Sequence, residues 1–259
     1  MNWWQAIILG AVQGLTEFLP VSSSGHLLLI QNWFGIEENN LFYTIVMHVG
    51  TLIPVIVVLW KDILDKFKKP ASKFGLWVLA TIPAGIVGVL LSVVFDIDVL
   101  FSEHIWLLAI TFAITAGLLL FSEFRCKKVE MLNGITVKTS LIMGAGQAFG
   151  VLPGISRSGA TITAGCIAKV DRKENASFTF IMSIPIIVAA LAMEIFDMAT
   201  GSGFAGVEVL PLLIGFVTSM VTGYIAIRFM LKIIQKANYK WFSLYLVLMS
   251  VASIITAVV

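Results

Sequence analysis

Six stretches of this chain contain no Asp, Glu, Lys or Arg, and each is long enough to cross about 30 Å of hydrocarbon as an α-helix. They are Leu41–Trp60, Phe74–Phe95, Ile105–Ser122, Asn175–Met193, Val209–Ile227 and Trp241–Val259. Charged residues make up 12% of the chain, about half their share in a soluble domain. Because lipid cannot satisfy backbone polar groups, these stretches predict an all-α polytopic membrane protein with six transmembrane helices.

Two further apolar stretches, Trp3–Gly35 and Thr139–Ala168, are each interrupted near the middle by Pro, Gly and Ser. Each predicts a helix, a break and a second short helix, which is a re-entrant helical hairpin lining a site. The interruptions match each other without a gap: Gly10–Gly25 reads GAVQGLTEFLPVSSSG, and Gly144–Gly159 reads GAGQAFGVLPGISRSG. The matches indicate an internal duplication.

Basic residues are concentrated in four loops, which the positive-inside rule places in the cytoplasm. These loops hold sixteen of the 17 basic residues: Lys61, Lys66, Lys68, Lys69, Lys73, Arg125, Lys127, Lys128, Lys138, Lys169, Arg172, Lys173, Arg228, Lys232, Lys236 and Lys240. Cys126 and Cys166 fall on the same side and are expected to be free thiols. The basic loops are interpreted as topology signals and contacts to anionic lipid, not as nucleic-acid sites.

The chain threads through these loops only if both hairpins return to the side that they entered. Each half then has one hairpin and three crossings, and three is odd, so the second half is inverted relative to the first. We therefore predict a single membrane domain, 1–259, with two re-entrant hairpins in an inverted-topology repeat whose halves are about 1–125 and 135–259.

Glu17 and Arg157 are the ionisable residues that this topology leaves inside the membrane, one in each broken hairpin. Ionisable groups at that depth cost several kcal/mol and are usually functional, with a partner nearby. We expect the two side chains to meet at the centre of the protein. A structural ion pair that locks the hairpins together is the alternative.

Gln13 and Glu17 are four residues apart and share one face of a helix. A carboxylate beside an amide oxygen could hold a divalent cation, Mg²⁺ or Ca²⁺, with phosphate oxygens and water completing its shell. Alternatively, Gln13 stabilises the hairpin by a hydrogen bond, a role that its repetition as Gln147 favours.

The hydroxyl-rich turn PVSSSGH contains Ser22, Ser23, Ser24 and His26 and leads into a helix, a place that suits an anion. Ser22 or Ser23 could be a nucleophile if His26 takes the proton, or His26 alone could act as acid, base or nucleophile. Each serine could instead be an N-cap. His48, in the outer part of the first crossing, is near enough to support a residue of the site, although a hydrogen-bonded structural role is expected.

The matching turn in the second half contains Gly154, Ser156, Arg157, Ser158 and Thr161. Glycine lets the backbone approach a ligand, and the guanidinium offers a planar fork for two phosphate oxygens. The hydroxyls could add donors. An ordinary small-residue turn between closely packed helices would explain the glycine but not the arginine.

These turns resemble the two signature motifs of the undecaprenyl-diphosphate phosphatases, also called bacitracin-resistance proteins. QGLTEFLPVSSSGH, from Gln13 to His26, is similar to the first motif, and PGISRSGAT, from Pro153 to Thr161, is similar to the second. The resemblance covers essentially the whole chain in length, span order and motif position.

The resemblance implies a multi-pass phosphatase of the bacterial plasma membrane that converts undecaprenyl diphosphate to undecaprenyl phosphate, recycling the carrier for cell-wall glycan synthesis. It implies a divalent cation linked to Glu17, a nucleophile or proton-transfer group at Ser23 or His26, a diphosphate clamp at Arg157 and a site facing the extracytoplasmic side. The family pattern allows Glu or Gln at position 13, so metal binding by this chain depends more on Glu17.

A secondary transporter or a lipid-carrier flippase is the alternative from another class, because inverted repeats and paired broken hairpins are typical of transporters. A purely structural protein would leave Glu17, His26 and Arg157 unexplained. The expected partners are a polyprenyl diphosphate lipid and membrane lipids, with no nucleic acid, and a homo-oligomer stays open.

Overall fold

The structure is a computed structural model that describes residues 1–36, 41–68, 72–95, 97–128, 130–131, 134–200, 208–236 and 238–258. These residues form thirteen α-helices, as the all-α prediction requires. In chain order the helices are α1 (Trp3–Phe18), α2 (Ser23–Trp33), α3 (Leu41–Val58), α4 (Trp60–Lys68), α5 (Ser72–Phe95), α6 (Ile97–Glu103), α7 (Leu107–Lys128), α8 (Val137–Phe149), α9 (Arg157–Ile167), α10 (Arg172–Ile181), α11 (Ser183–Thr200), α12 (Val209–Lys236) and α13 (Lys240–Val258).

The helices are those of a membrane protein. Within the described ranges, α7, α12 and α13 are each long and apolar enough to cross a membrane, and α3 and α5 contain shorter apolar segments, Phe42–Val58 and Gly75–Leu91. Large apolar side chains are exposed along α12 and α13, among them Phe229, Leu248 and Ile255. Because a soluble protein rarely exposes so continuous an apolar surface, these sides face lipid.

The two interrupted stretches are broken helices, as their sequences predict. Four residues separate α1 from α2, and seven separate α8 from α9. Each second helix begins after a serine N-cap. The Ser22 hydroxyl accepts from the Gly25 N–H at 3.4 Å, and the Ser156 hydroxyl accepts from the Gly159 N–H at 3.1 Å.

The predicted crossing Asn175–Met193 is wrong as a single helix, because the structure divides it between α10 and α11 at Met182. Pro185 gives the physical reason. In a continuous helix its ring would crowd the Ile181 carbonyl and deprive it of a donor. Here the proline lies in the first turn of α11, where a missing N–H costs little.

Each of the other five predicted crossings coincides with a helix, but the ends differ. α7 and α12 continue six and nine residues beyond the predicted ends, to Lys128 and Lys236. Long basic side chains can place their charges at the membrane–water interface while their backbone stays helical. A helix can therefore be longer than the stretch that lacks charged residues. The short helices α4 and α6 have no counterpart in the sequence prediction. Val259, the predicted end of the last crossing, lies outside the described residues.

The long helix of each hairpin packs against a crossing from the other predicted half. α1 lies along α12, α8 lies along α5, and α7 contacts α13. Glycines permit both approaches: a Cβ on Gly10 would lie 2.7 Å from the Gly215 carbonyl oxygen, and one on Gly144 would lie 2.6 Å from that of Ala80. The glycine that recurs in the sequence therefore has the same packing role twice.

The expectation of free thiols is wrong, because Cys126 and Cys166 form a disulfide in the structure. The two residues lie near the ends of α7 and α9, which face each other, and their Cα atoms are 5.7 Å apart, a separation that a disulfide spans. They are 40 residues apart in sequence, and that spacing does not reveal that the two helices meet.

The turns of the two hairpins meet at the centre of the protein. A Cβ on Gly25 would lie 2.8 Å from the Gly154 Cα atom. Thr115 of α7 donates its hydroxyl to the Gly154 carbonyl oxygen at 3.1 Å and accepts from the Ser156 N–H at 3.2 Å. Gly154 has a φ of 83°, and a Cβ there would overlap the Thr111 hydroxyl. Only glycine suits this position.

Replacing Gly154 by alanine is expected to lower the free energy of unfolding by about 2–4 kcal/mol, because the methyl group would clash and the backbone would be strained. The measurement is thermal unfolding of the purified protein in detergent. Gly117→Ala in α7 is the matched control, since a Cβ there meets no described atom within 4 Å. Equal melting temperatures for the two variants would contradict the close contact.

Candidate active site

Glu17 and Arg157 form an ion pair between the two hairpins. Glu17 lies in the last turn of α1, and Arg157 is the first residue of α9. Arg157 Nη2 donates to Glu17 Oε1, and the exposed fractions of the arginine and glutamate side chains are 22% and 3%, respectively. The carboxylate is therefore buried, whereas the guanidinium is partly open to a ligand.

The other carboxylate oxygen of Glu17 accepts two hydrogen bonds from the first hairpin. Gln13 Nε2 donates to Glu17 Oε2 at 3.0 Å, and the Ser23 hydroxyl donates to the same oxygen at 2.8 Å. Gln13 reaches Glu17 because the two residues are one helical turn apart in α1. Ser23 reaches it because the turn folds the start of α2 back against α1.

His48 of α3 also lies beside Glu17, in agreement with a position near the site. Its Nδ1 is 2.8 Å from the Thr44 carbonyl oxygen, so the predicted hydrogen bond is present. Its Nε2 is 3.7 Å from Glu17 Oε2. The sequence placed His48 near the site but did not identify Glu17 as its neighbour, because α3 and α1 are brought together only by folding.

Serine pairs occupy equivalent positions in the two turns. The Ser22 and Ser24 hydroxyls are 3.3 Å apart, and the Ser156 and Ser158 hydroxyls are 3.2 Å apart. Ser22 and Ser156 are N-caps. For Ser22 this is the alternative role that the sequence allowed, and for Ser156 the sequence offered no such prediction. Ser22 has a φ of 70°, a strained value for a residue with a side chain, and such strain often occurs at binding sites.

Two other residues of the second turn support its backbone. Gly154 makes the close approach described above, and the Thr161 hydroxyl donates to the Arg157 carbonyl oxygen at 2.9 Å. Ser158 Oγ is 3.4 Å from the Leu19 carbonyl oxygen, which links the two hairpins once more. These contacts fix the backbone that presents Arg157.

His26 lies in a separate polar contact. Its Nδ1 is 2.7 Å from the Ser22 carbonyl oxygen, and its Nε2 is 2.7 Å from the Tyr245 hydroxyl of α13. Because a carbonyl only accepts, Nδ1 carries the hydrogen, and Nε2 of the neutral ring accepts from Tyr245. No hydrogen bond or ion pair of the described residues joins His26 to Glu17. Nothing in the sequence indicates the involvement of Tyr245.

The second half has no equivalent of the carboxylate cluster. Gln147, the counterpart of Gln13, is fully buried, and neither end of its amide has a hydrogen-bond partner among the described residues. Val151 stands where the first half has Glu17. The duplication therefore provides one carboxylate site and one guanidinium.

Glu17 and Gln13 remain the candidate ligands for a divalent cation. The Gln13 Oε1 atom is buried and has no hydrogen-bond partner within the described part of the chain. An unpaired amide oxygen beside a carboxylate fits a hard cation. No group of three or more His, Cys, Asp and Glu residues in those ranges could hold a metal, so ligands would also have to come from other side chains, substrate or water.

The geometry brings Gln13, Glu17, Ser23 and Arg157 into one cluster and adds His48. A guanidinium beside a carboxylate-bound hydroxyl is suited to a phosphate group. The guanidinium binds phosphate oxygens, and the carboxylate can take the proton of a hydroxyl or a water that attacks phosphorus.

Comparison with known proteins identifies the family of this chain. The family model "Bacitracin resistance protein BacA" matches residues 6–252. A relative from Carboxydothermus hydrogenoformans named undecaprenyl-diphosphatase is 37% identical over 98% of this chain and 97% of its own length. Two with the same name, from Parabacteroides distasonis and Treponema denticola, are each 39% identical over 95% of this chain and 94% of their own length. The chain belongs to the bacitracin resistance protein BacA family.

Proposed function

We propose that this chain is an undecaprenyl-diphosphatase, a membrane hydrolase that converts undecaprenyl diphosphate to undecaprenyl phosphate and inorganic phosphate. The buried pairing of Glu17 with Arg157 between two turns of an apolar helical protein is the observation that carries this function. It places the Arg157 guanidinium, which can bind phosphate, next to the Glu17 carboxylate, which can accept a proton, inside a protein that is surrounded by lipid. Relatives that are named undecaprenyl-diphosphatase and align with nearly the whole chain support the same reaction.

Arg157 binds the diphosphate. Its guanidinium is planar, stays charged at every working pH and has donors beyond the one that it gives to Glu17. Its partial exposure lets phosphate oxygens reach these donors. The same guanidinium stabilises the charge that develops on the transferred phosphoryl group. Stabilising this charge is the main requirement for catalysing phosphoryl transfer. The isoprenoid tail stays in lipid beside the exposed apolar helix faces.

Ser23 is the hydroxyl nearest to the chemistry. Its proton already points at Glu17 Oε2, an arrangement that activates this hydroxyl, or a water bound in its place, for attack on the terminal phosphorus. Attack breaks the bond between that phosphorus and the bridging oxygen. Attack by water gives inorganic phosphate at once, whereas attack by the serine gives a phosphoseryl group that a water must then hydrolyse to release inorganic phosphate and restore the hydroxyl. Glu17 takes the proton, and the bridging oxygen leaves with the lipid phosphate. His26 stays a candidate for proton transfer, but both of its ring nitrogens have other partners.

A divalent cation, Mg²⁺ or Ca²⁺, belongs to this proposal, with Glu17 and Gln13 as its protein ligands. When bound, it would neutralise charge on the diphosphate oxygens. The buried, unpaired Gln13 Oε1 atom supports this assignment.

The proposed topology is six crossings and two re-entrant hairpins in inverted halves, about 1–125 and 135–259, in the bacterial plasma membrane with the site facing the extracytoplasmic side. Support comes from the packing of α1 on α12 and of α8 on α5, each through the repeated glycine. The division of the fourth crossing into α10 and α11 is a departure from the simple repeat. A secondary transporter or flippase with this layout is not favoured, because the named relatives are diphosphatases.

Purified protein in detergent is expected to release one phosphate from each undecaprenyl diphosphate, with no ion or pH gradient present. Phosphate is measured colorimetrically, and the lipid product by chromatography. Binding of the lipid without phosphate release would contradict the proposal and favour the transporter.

Arg157→Ala is expected to lower kcat/KM for phosphate release at least about 100-fold, because a preorganised donor to the transition state is lost. Arg157→Lys keeps the charge but loses the fork and should recover only part of the activity. Arg228→Ala is the matched control, since Arg228 is exposed and packs over the Tyr224 ring. Activity of Arg157→Ala at the control's level would refute the clamp.

The double variant Glu17→Gln/Arg157→Gln separates a catalytic ion pair from a structural one. Each single change leaves a buried group without its partner and should cost about 3–5 kcal/mol of stability. Removing both charges should restore much of the melting temperature but no phosphate release. Restored activity in the double variant would mean that the pair only locks the hairpins together.

A further inference from the structure

His48 faces Glu17 in a way that a hydrogen bond does not explain. Its Nδ1 lies 2.8 Å from the Thr44 carbonyl oxygen, and because a carbonyl only accepts, Nδ1 carries the hydrogen. The Nε2 atom lies 3.7 Å from Glu17 Oε2. A contact of this length fits either an ion pair with a doubly protonated ring or one cation that Nε2 and the carboxylate share.

The separation of these two atoms fits one shared cation. Ligand atoms that each lie about 2.1 Å from one ion can be at most about 4.2 Å apart. The 3.7 Å between Nε2 and Oε2 is within that limit and is too long for a hydrogen bond. A hydrogen bond from the other ring nitrogen to a backbone carbonyl is also typical of metal-binding histidines.

Gln13 offers a third ligand in the same place. Its amide nitrogen is 3.0 Å from Glu17 Oε2, and its amide oxygen is buried without a partner among the described residues. A half-turn of the amide exchanges the two ends without changing its shape, and it brings the oxygen to face the carboxylate. Such an exchange is favourable only if a cation lies between the two oxygens.

Gln13 and Ser23 both donate to Glu17 Oε2, so a cation at this atom would replace the Gln13 hydrogen bond and share the oxygen with Ser23. Arg157 pairs with Oε1, the opposite carboxylate oxygen, so the guanidinium and a cation need not compete for one atom. The His48 side chain is 26% exposed, which gives an ion a route to Nε2. Met182 stands at the position of His48 in the second half, so only the first half has this arrangement.

We propose that His48 is a direct ligand of the divalent cation, through Nε2, together with Glu17 and Gln13. The inference rests on the cation assigned under the proposed function and extends its ligand set from oxygen to nitrogen. Imidazole suits the later first-row ions such as Zn²⁺ and Ni²⁺, whereas Mg²⁺, Ca²⁺ and Mn²⁺ are bound mainly by oxygen. A coordinated His48 should therefore favour a later first-row ion over Mg²⁺, this preference should depend on His48, and Mn²⁺ serves as the spectroscopic probe.

The test is electron spin-echo envelope modulation of Mn²⁺ bound to the full-length wild-type protein in detergent, without substrate. It shows directly whether an imidazole nitrogen coordinates the ion. We expect nitrogen modulation from a coordinated imidazole. His48→Gln should abolish it, and His104→Gln should retain it. His104 is the matched control because its Nδ1 also faces the carbonyl four residues earlier, at 3.2 Å from Leu100. Wild-type protein that binds Mn²⁺ without this modulation would overturn the proposal, whether or not the variants fold.

Titration of free Mn²⁺ by its solution spectrum gives a second readout. His48→Gln should raise the Kd for Mn²⁺ at least about tenfold, while Mg²⁺ binding changes less. If Glu17→Gln abolishes Mn²⁺ binding and His48→Gln leaves it unchanged, the His48 assignment fails and the cation site stands. If neither variant changes it, the cation is not bound here. Phosphate release, measured separately, decides the diphosphatase function.

Discussion

The ion pair between Glu17 and Arg157 is the constraint on which the rest of the structure depends. Placing a carboxylate and a guanidinium among apolar helices is costly unless each has partners. Gln13 and Ser23 satisfy the second carboxylate oxygen, and Thr115 fixes the backbone that leads to the arginine. The same contacts hold a carboxylate, a hydroxyl and a guanidinium within one cluster, so the groups that stabilise the pair are those to which the proposed function assigns the chemistry.

The two matching segments are alike where they pack and differ where the candidate site lies. Gly10 and Gly144 allow close helix packing in the same way, and Ser22 and Ser156 cap equivalent helices. At the functional positions the copies differ, because Val151 replaces the carboxylate and leaves the Gln147 amide without a described partner. The two hairpins therefore contribute unequal halves of one site, which suits group transfer at a fixed point better than two equivalent binding states.

The sequence predicted those parts of the fold that depend on local physical chemistry. Charge-free length identified the apolar helices, and Pro, Gly and Ser identified the breaks within the hairpins. The prediction failed where two effects competed. Pro185 lies in an apolar run long enough to be one helix, yet the helix is interrupted at Met182, whereas Pro54 and Pro83 lie inside continuous helices. The Cys126–Cys166 disulfide was not predicted. The two cysteines were assigned to the cytoplasmic side, where thiols are normally reduced, and the sequence does not show that α7 faces α9.

By itself, the sequence determined that the chain is an apolar helical protein, because long stretches of it lack charged residues. It also determined that Glu17 and Arg157 are the unusual charges, because each lies inside an apolar stretch. Tertiary structure alone decided which histidine faces the carboxylate. His26 belongs to the same signature turn as Ser23 yet contacts Tyr245, whereas His48 comes from another helix and reaches Glu17. Side-chain direction depends on how helices pack, and no spacing along the chain encodes it.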